Sequence, residues 1–229
     1  MHLYLADVTS LLEEETYREA LTKVSPERWE KAERIRIPSG RALSLGAALL
    51  LKEALIREGI EEGPEMVTGE KGKPYLKDHP EIYFNLSHAG TRVMCVVAPC
   101  EAGCDVEKIS DAHQEIADRF FTAEEAEVIR SAAKEEKAVL FSEIWTAKES
   151  FLKATGIGIG LGLDKFSVMD PQGHAKLRAV KEMPFRIEDY VIRRFDLQDG
   201  YRYAVCLKTE GDPKLSRLLE ETEPEWIDL

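Results

Sequence analysis

Apolar residues change period several times along the chain, and each change predicts an element. Leu3, Leu5 and the Ala6/Val8 region recur near alternate positions over residues 1–8, which reads as a first strand. Ser10 and Glu13 have capping-box spacing, and Leu11, Leu12, Tyr17, Ala20 and Leu21 continue at helical intervals. Ser25-Pro26-Glu27 offers an N-cap, a proline at the first helical position and an acid at the positive end of the dipole. A second helix therefore starts there and stops before Pro38. Ser39 is placed to cap a third helix over residues 41–57, closed by Gly59; its Ala47, Ala48, Leu50, Leu51 and Leu55 form a broad core stripe. Residues 61–72 read as loop, punctuated by Gly63-Pro64 and Gly72-Lys73-Pro74. Strands follow over 82–86, 92–98 and 105–109, with residues 99–103 as the turn between the last two.

The second half repeats the theme. Thr122 and Glu125 form another capping box, opening a helix through Ile129. Residues 135–153 make a longer helix with Phe141, Ile144, Trp145, Phe151 and Leu152 as apolar positions, broken by the glycines at 156, 158, 160 and 162. No strand precedes that glycine run, so a dinucleotide-binding loop is rejected in favour of a connector. Strands are expected at 165–169, 190–197 and 201–207, the last two turning at Asp199-Gly200, and the tail from Asp212 is acidic and weakly patterned. The expected class is α+β: two similar subdomains, residues 1–102 and 103–229, each an antiparallel sheet packed on a long helix and related by pseudo-twofold symmetry. A cleft between the halves is the expected ligand site.

The composition, 44% hydrophobic and 32% charged over 229 residues, is that of an ordinary soluble protein. No apolar run approaches the ~20 residues that span a bilayer, and residues 1–7 lack the basic flank of a signal peptide. A cytoplasmic protein without a membrane partner is expected. A net charge of −12 disfavours nucleic acid. Within this acidic chain Arg28, Lys31, Arg34, Arg36 and Arg41 form a local basic stretch, open to two readings: a solvated helix face interleaved with Glu30 and Glu33, or a phosphate-contacting surface. Cys95, Cys100, Cys104 and Cys206 contain no Cys-x-x-Cys pair and read as reduced, mostly buried thiols.

Chemistry concentrates in two runs. Gly103-Cys104-Asp105-Val106-Glu107 sets two carboxylates on one face of a strand, and Trp145-Thr146-Ala147-Lys148-Glu149-Ser150-Phe151-Leu152-Lys153 stacks Glu149 and Lys153 on one face of a helix. Brought within ~4 Å, each like-charged pair of Asp105, Glu107 and Glu149 costs about 4 kcal/mol at an effective dielectric near 20. Either their pKa values rise or a cation such as Mg2+ sits among them. Asn85-Leu86-Ser87-His88 places a hydroxyl and an imidazole at a strand end, and Gly72-Lys73-Pro74 is a tight turn projecting an ammonium.

Four runs in this order, Gly72-Lys73-Pro74, Phe84 to His88, Gly103 to Glu107 and Trp145 to Lys153, resemble the 4′-phosphopantetheinyl transferase superfamily in its long two-subdomain, surfactin-synthetase-activating form. The resemblance covers nearly the whole chain. It departs at Ala89, where the family usually has a small hydroxyl residue, which removes one hydrogen bond to the nucleotide. It implies transfer of the phosphopantetheine arm of coenzyme A to a serine of an apo acyl or peptidyl carrier protein, releasing adenosine 3′,5′-bisphosphate. Fatty acid, polyketide and nonribosomal peptide synthesis all stand open as the setting. Further implications are Mg2+, or Mn2+, held by Asp105, Glu107 and Glu149, and Glu149 as the base that takes the serine proton. Lys153 would neutralise pyrophosphate charge with help from Lys148. Arg28, Lys31, Lys73 and His88 would grip the 3′-phosphate and adenylate, and Ser87 would contact the pyrophosphate or the neighbouring nucleotide. Residues 109–121, with Phe120 and Phe121, are the expected apolar part of the carrier-docking surface, and the two-half chain implies a monomer. The alternatives are a metal-dependent phosphohydrolase or nuclease, disfavoured by the acidic balance and the Asn-Leu-Ser-His run, and an inactive coenzyme A- or carrier-binding module, disfavoured by the intact acids and Lys153.

Overall fold

Two long helices, each covering one sheet, set the architecture. The computed structural model describes residues 1–60, 63–69, 72–110, 113–170 and 173–229; part of the loop expected at 61–72 and of the docking segment at 109–121 lies outside them. In chain order the elements are β1 (His2–Asp7), α1 (Glu14–Leu21), α2 (Pro26–Glu33), α3 (Pro38–Arg57), β2 (Met66–Thr68), β3 (Pro74–Leu76), β4 (Tyr83–Ala89), β5 (Arg92–Ala98), β6 (Ala102–Lys108), α4 (Gln114–Phe120), α5 (Ala123–Ser131), α6 (Lys134–Thr155), β7 (Phe166–Met169), β8 (Ala175–Ala179), β9 (Tyr190–Phe195), β10 (Tyr201–Lys208), α7 (Pro213–Glu221) and β11 (Pro224–Trp226). The first sheet runs β11-β1-β5-β4 and the second β6-β10-β9; β2–β3 and β7–β8 are two-stranded hairpins. The fold is α+β, as the alternation of patterns implied.

Side-chain parity decides the layering. On β1, Tyr4 and Ala6 join Val93, Cys95 and Val97 of β5 against Leu45, Leu50 and Ala54 of α3. Leu3 and Leu5, of the opposite parity, face the other sheet with Met94 and Val96, meeting Cys104, Val106, Tyr203 and Val205. Behind that second sheet Ala204 and Cys206 pack on Ala147, Phe151 and Ala154 of α6. The layers are therefore helix, sheet, sheet, helix, with three buried clusters, and the middle one joins the halves.

Several local expectations shift. Ser10 and Glu13 form no capping box: Leu11 turns back onto the Val8 carbonyl in a short 3-10 turn, and α1 begins one residue after Glu13. That turn is drawn onto α3 at Gly46, where an added Cβ would lie 2.2 Å from Val8 Cγ1. Pro38, not Ser39, opens α3, with Ile37 as N-cap. Ser25 and Thr122 cap α2 and α5 as expected, the latter with a complete capping box. The acidic tail is structured. Asp212 caps α7, and β11 crosses back to pair in parallel with β1 in the first sheet, so the end of the chain belongs with the first half's sheet. Among the described residues no helix is long and apolar enough to cross a membrane.

Candidate active site

The site forms where the edge strand of one sheet meets the edge strand of the other. Asn85 and Ser87 share a parity on β4, and both reach β6. Asn85 Oδ1 accepts from the Cys104 amide at 2.9 Å, and Ser87 Oγ donates to Asp105 Oδ1 at 2.8 Å. Gly103, two residues before Asp105, lets α6 lie directly on β6. A Cβ at this position would stand 2.1 Å from Ser150 O and 2.3 Å from Ala154 N. That close approach seats Lys153 Nζ 2.6 Å from Asp105 Oδ1 and 2.9 Å from Ser87 Oγ. Three motifs distant in sequence thus converge on one ion pair.

The electrostatics is that of crowded acids. Burial pushes the Asp105 carboxyl upward, outweighing the nearby Lys153 ammonium and Ser87 hydroxyl. Glu107 is pushed up to about 7, first by burial and then by the charges of Asp105 and, more weakly, Glu149; Lys153 and a hydrogen bond from Trp145 pull the other way. Burial and Asp105 raise Glu149. Burial pulls Lys153 down, but its attraction to Asp105 and Glu149 prevails and its pKa is raised.

Among the described residues no three His, Cys, Asp or Glu side chains stand together as a ready metal cage, so the expected triad does not close on a point. Lys153 supplies the cation beside Asp105 instead. Asp105 Oδ2 and Glu149 Oε1 are nevertheless buried without a hydrogen-bond partner among the described residues. Orphaned hard oxygens in an electrostatically coupled acid group fit a divalent cation.

Leu86 lines two cavities. One of about 250 Å³ is lined by Asn85, Leu86, Glu149, Lys153, Lys73 and Ile159. The other, about 610 Å³, includes Leu86, Arg28, Lys23, Lys52, Leu55 and Ile60. The Arg28 guanidinium donates to the Ser44 carbonyl and, at 3.0 Å, to its hydroxyl, and Nε is buried without a partner among the described residues. Burial lowers its pKa.

The 4′-phosphopantetheinyl transferase superfamily model matches residues 101–206. The transferase Sfp of Bacillus subtilis (strain 168) is 31% identical over 209 residues, covering 90% of this chain and 92% of its own. The 4′-phosphopantetheinyl transferase of Bacillus pumilus is 35% identical over 193 residues, covering 81% and 79%. The chain belongs to the 4′-phosphopantetheinyl transferase superfamily. Among solved structures, a holo-[acyl-carrier-protein] synthase from Thermotoga maritima aligns with 52% of this chain and 73% of its own at 17% identity and a TM-score of 0.40.

Not every residue expected to serve the transferase chemistry lies at this site. Lys148 is the clearest correction. Its side chain is fully buried on the far side of α6, paired with Glu125 at 2.8 Å and donating to the carbonyls of Leu163 and Phe166 at 2.8 and 2.6 Å. It is one turn from Ile144, Phe151 and Leu152, so it belongs to the core face. The expected projecting ammonium of Lys73 is tied to two backbone carbonyls. Phe121 is buried against Phe141 and Trp145, leaving Phe120 as the exposed aromatic of the docking segment. His88 is exposed, of the same parity as Leu86 and Phe84. Lys31 is exposed on α2, and Arg41 is stacked over Tyr17 near Glu33, so part of the basic stretch is internally matched. Ser44, the bond of Asn85 to β6 and the close approach at Gly103 are not legible in the sequence; only the two-residue spacing of Asn85 and Ser87 signals a shared face.

Proposed function

We propose that this chain transfers the 4′-phosphopantetheine arm of coenzyme A to a serine of an apo acyl or peptidyl carrier protein, in the cytoplasm and as a monomer. One chain supplies both sides of the cleft, which supports the monomer. The observation that carries the reading is the meeting of Ser87 from one half with Asp105 and Lys153 from the other, beside the raised carboxyls of Glu149 and Glu107.

The carrier serine oxygen forms a bond to the phosphorus that bears the pantetheine arm. The bond from that phosphorus to the bridging oxygen breaks, and adenosine 3′,5′-bisphosphate leaves with the electron pair. Glu149 takes the serine proton, and its raised pKa brings it closer to the operating pH, where a general base is most effective. Lys153, one turn along α6, meets the charge that gathers on the bridging oxygen. Ser87 holds both Asp105 and Lys153 in place. Mg2+ or Mn2+ held by Asp105, Glu107 and Glu149 would supply further neutralisation of the pyrophosphate. Arg28, Lys31 and His88 take the nucleotide end. The exposed Phe120 offers an apolar contact for the carrier.

Incubating the purified chain with coenzyme A, Mg2+ and apo carrier proteins of the acyl and peptidyl types, then weighing the carriers, tests the reading. A gain of one phosphopantetheinyl group on a serine is expected. No gain on any carrier would refute it.

A further inference from the structure

We propose that Lys73 is a positioning residue. Its ammonium, carried by the first half, clasps the end of α6 to the start of β6 and so fixes the distance between Lys153 and Asp105. This rests on the transfer reading above, but it gives Lys73 a different task from holding a phosphate.

The geometry is specific. Lys73 Nζ donates to Ala102 O at 2.9 Å and to Ala154 O at 3.0 Å. Ala154 directly follows Lys153, and Ala102 stands three residues before Asp105, at the first position of β6. The clasp therefore grips both elements of the ion pair next to the pair itself. Ala154 O lies in the last turn of α6, among carbonyls that have no amide partner within a helix, where the dipole favours a cation. The lysine stem runs beside Gly156, the left-handed C-cap of α6 at φ +67°, whose missing side chain leaves room for it: an added Cβ would lie 3.7 Å from Lys73 Cδ. Just before Lys73, Gly72 N donates to Gly69 O and Gly69 N to Lys73 O, both at 2.9 Å.

Lys73 also forms a wall. It lines the cavity that holds Glu149 and Lys153, and on its other side a cavity of about 420 Å³ lined by Tyr75, Tyr83, Glu101 and Thr155. Leaving its two carbonyls for a phosphate would strand the acceptors of two buried residues, Ala102 and Ala154, and open that wall. Burial lowers its pKa, against the opposing pull of Glu101, in keeping with a group withdrawn from solvent.

Lys73→Met keeps the unbranched stem and deletes the donors. The expected result is a dissociation constant for adenosine 3′,5′-bisphosphate within about threefold of wild type, with kcat at saturating coenzyme A and carrier lowered on the order of tenfold or more. A weakening of nucleotide binding by about tenfold at unchanged kcat would overturn the proposal in favour of a phosphate ligand. A lower melting temperature with unchanged kcat would overturn it in favour of a purely structural lysine. If the variant does not fold, the wild-type protein decides. With 15N-labelled lysine, the Lys73 ammonium should exchange slowly with water and stay unmoved when adenosine 3′,5′-bisphosphate is added; a ligand-dependent jump refutes the clasp. That measurement needs no carrier, so a chain inactive on every carrier would defeat the transfer reading and leave the clasp to be judged on its own.

Discussion

Gly103→Ala is the most demanding test of how the two acidic motifs are brought together. The new Cβ would meet three backbone atoms of α6: Ser150 O at 2.1 Å, Ala154 N at 2.3 Å and the Lys153 carbonyl carbon at 2.8 Å. None belongs to a flexible side chain, so strand and helix must separate by about 0.9 Å merely to restore a 3.0 Å contact. The same displacement applied to the 2.6 Å contact between Lys153 and Asp105 takes it to about 3.5 Å, at the limit of a hydrogen bond. Misplacement of a catalytic group by ~1 Å costs about 10²-fold in rate, and overpacking costs roughly 1–3 kcal/mol of stability. The expected outcome is a kcat lowered by about two orders of magnitude, with coenzyme A affinity retained. The melting temperature should fall by roughly 2–4 °C for each kcal/mol lost. Steady-state transfer followed by carrier mass, together with calorimetric titration of coenzyme A, measures both. A Gly103→Ala enzyme with kcat within about threefold of wild type would refute the close-contact account of the site.

Three further outcomes are expected. Glu149→Gln should abolish transfer while coenzyme A still binds by calorimetry, and near-normal turnover would exclude Glu149 as the base. Glu107, raised to about 7 from an ordinary 4.5, stabilises the fold fully below about pH 4.5, and that contribution is lost as pH rises through about 7. In a chelator, guanidinium unfolding of wild type should therefore lose stability from pH 5 to 8 relative to Glu107→Gln, and excess Mg2+ should diminish the difference; parallel profiles would show that the group is not perturbed. Lys148→Met leaves Glu125 as an unpaired buried charge and should cost about 3–5 kcal/mol by chemical denaturation, whereas a cost below about 1 kcal/mol would contradict the pairing.

Spacing made the acids legible and burial made the rest illegible. The two-residue period of Asp105 and Glu107 and the four-residue period of Glu149 and Lys153 follow from backbone geometry alone, and both survive in the fold. Lys148 was misplaced because its position in a charged motif outweighed its helical neighbours, although Ile144, Phe151 and Leu152 already marked its face as apolar. Asp212-Pro213 was a readable helix start in the tail. β11, three residues long, was not: it is a strand only because β1 offers it an edge. The failed capping box at Ser10 has the same character, since the position of Leu11 depends on how closely Val8 approaches Gly46.

The residues that join the halves also assemble the chemistry. Neither sheet alone contains the site: Ser87 and Lys73 come from the first half, Asp105, Glu107, Glu149 and Lys153 from the second. They meet because Leu3, Leu5 and Val96 pack on Cys104, Val106 and Tyr203. A cavity opened in that middle cluster should therefore disturb the contact of Ser87 with Asp105. Loss of β11 acts on the opposite edge of the first sheet from β4 and should reach the site only through the sheet's stability. The two perturbations distinguish a site built by local motif geometry from one built by the interface, and the cross-half hydrogen bonds of Asn85 to Cys104, Ser87 to Asp105 and Lys73 to Ala154 place this one in the second class.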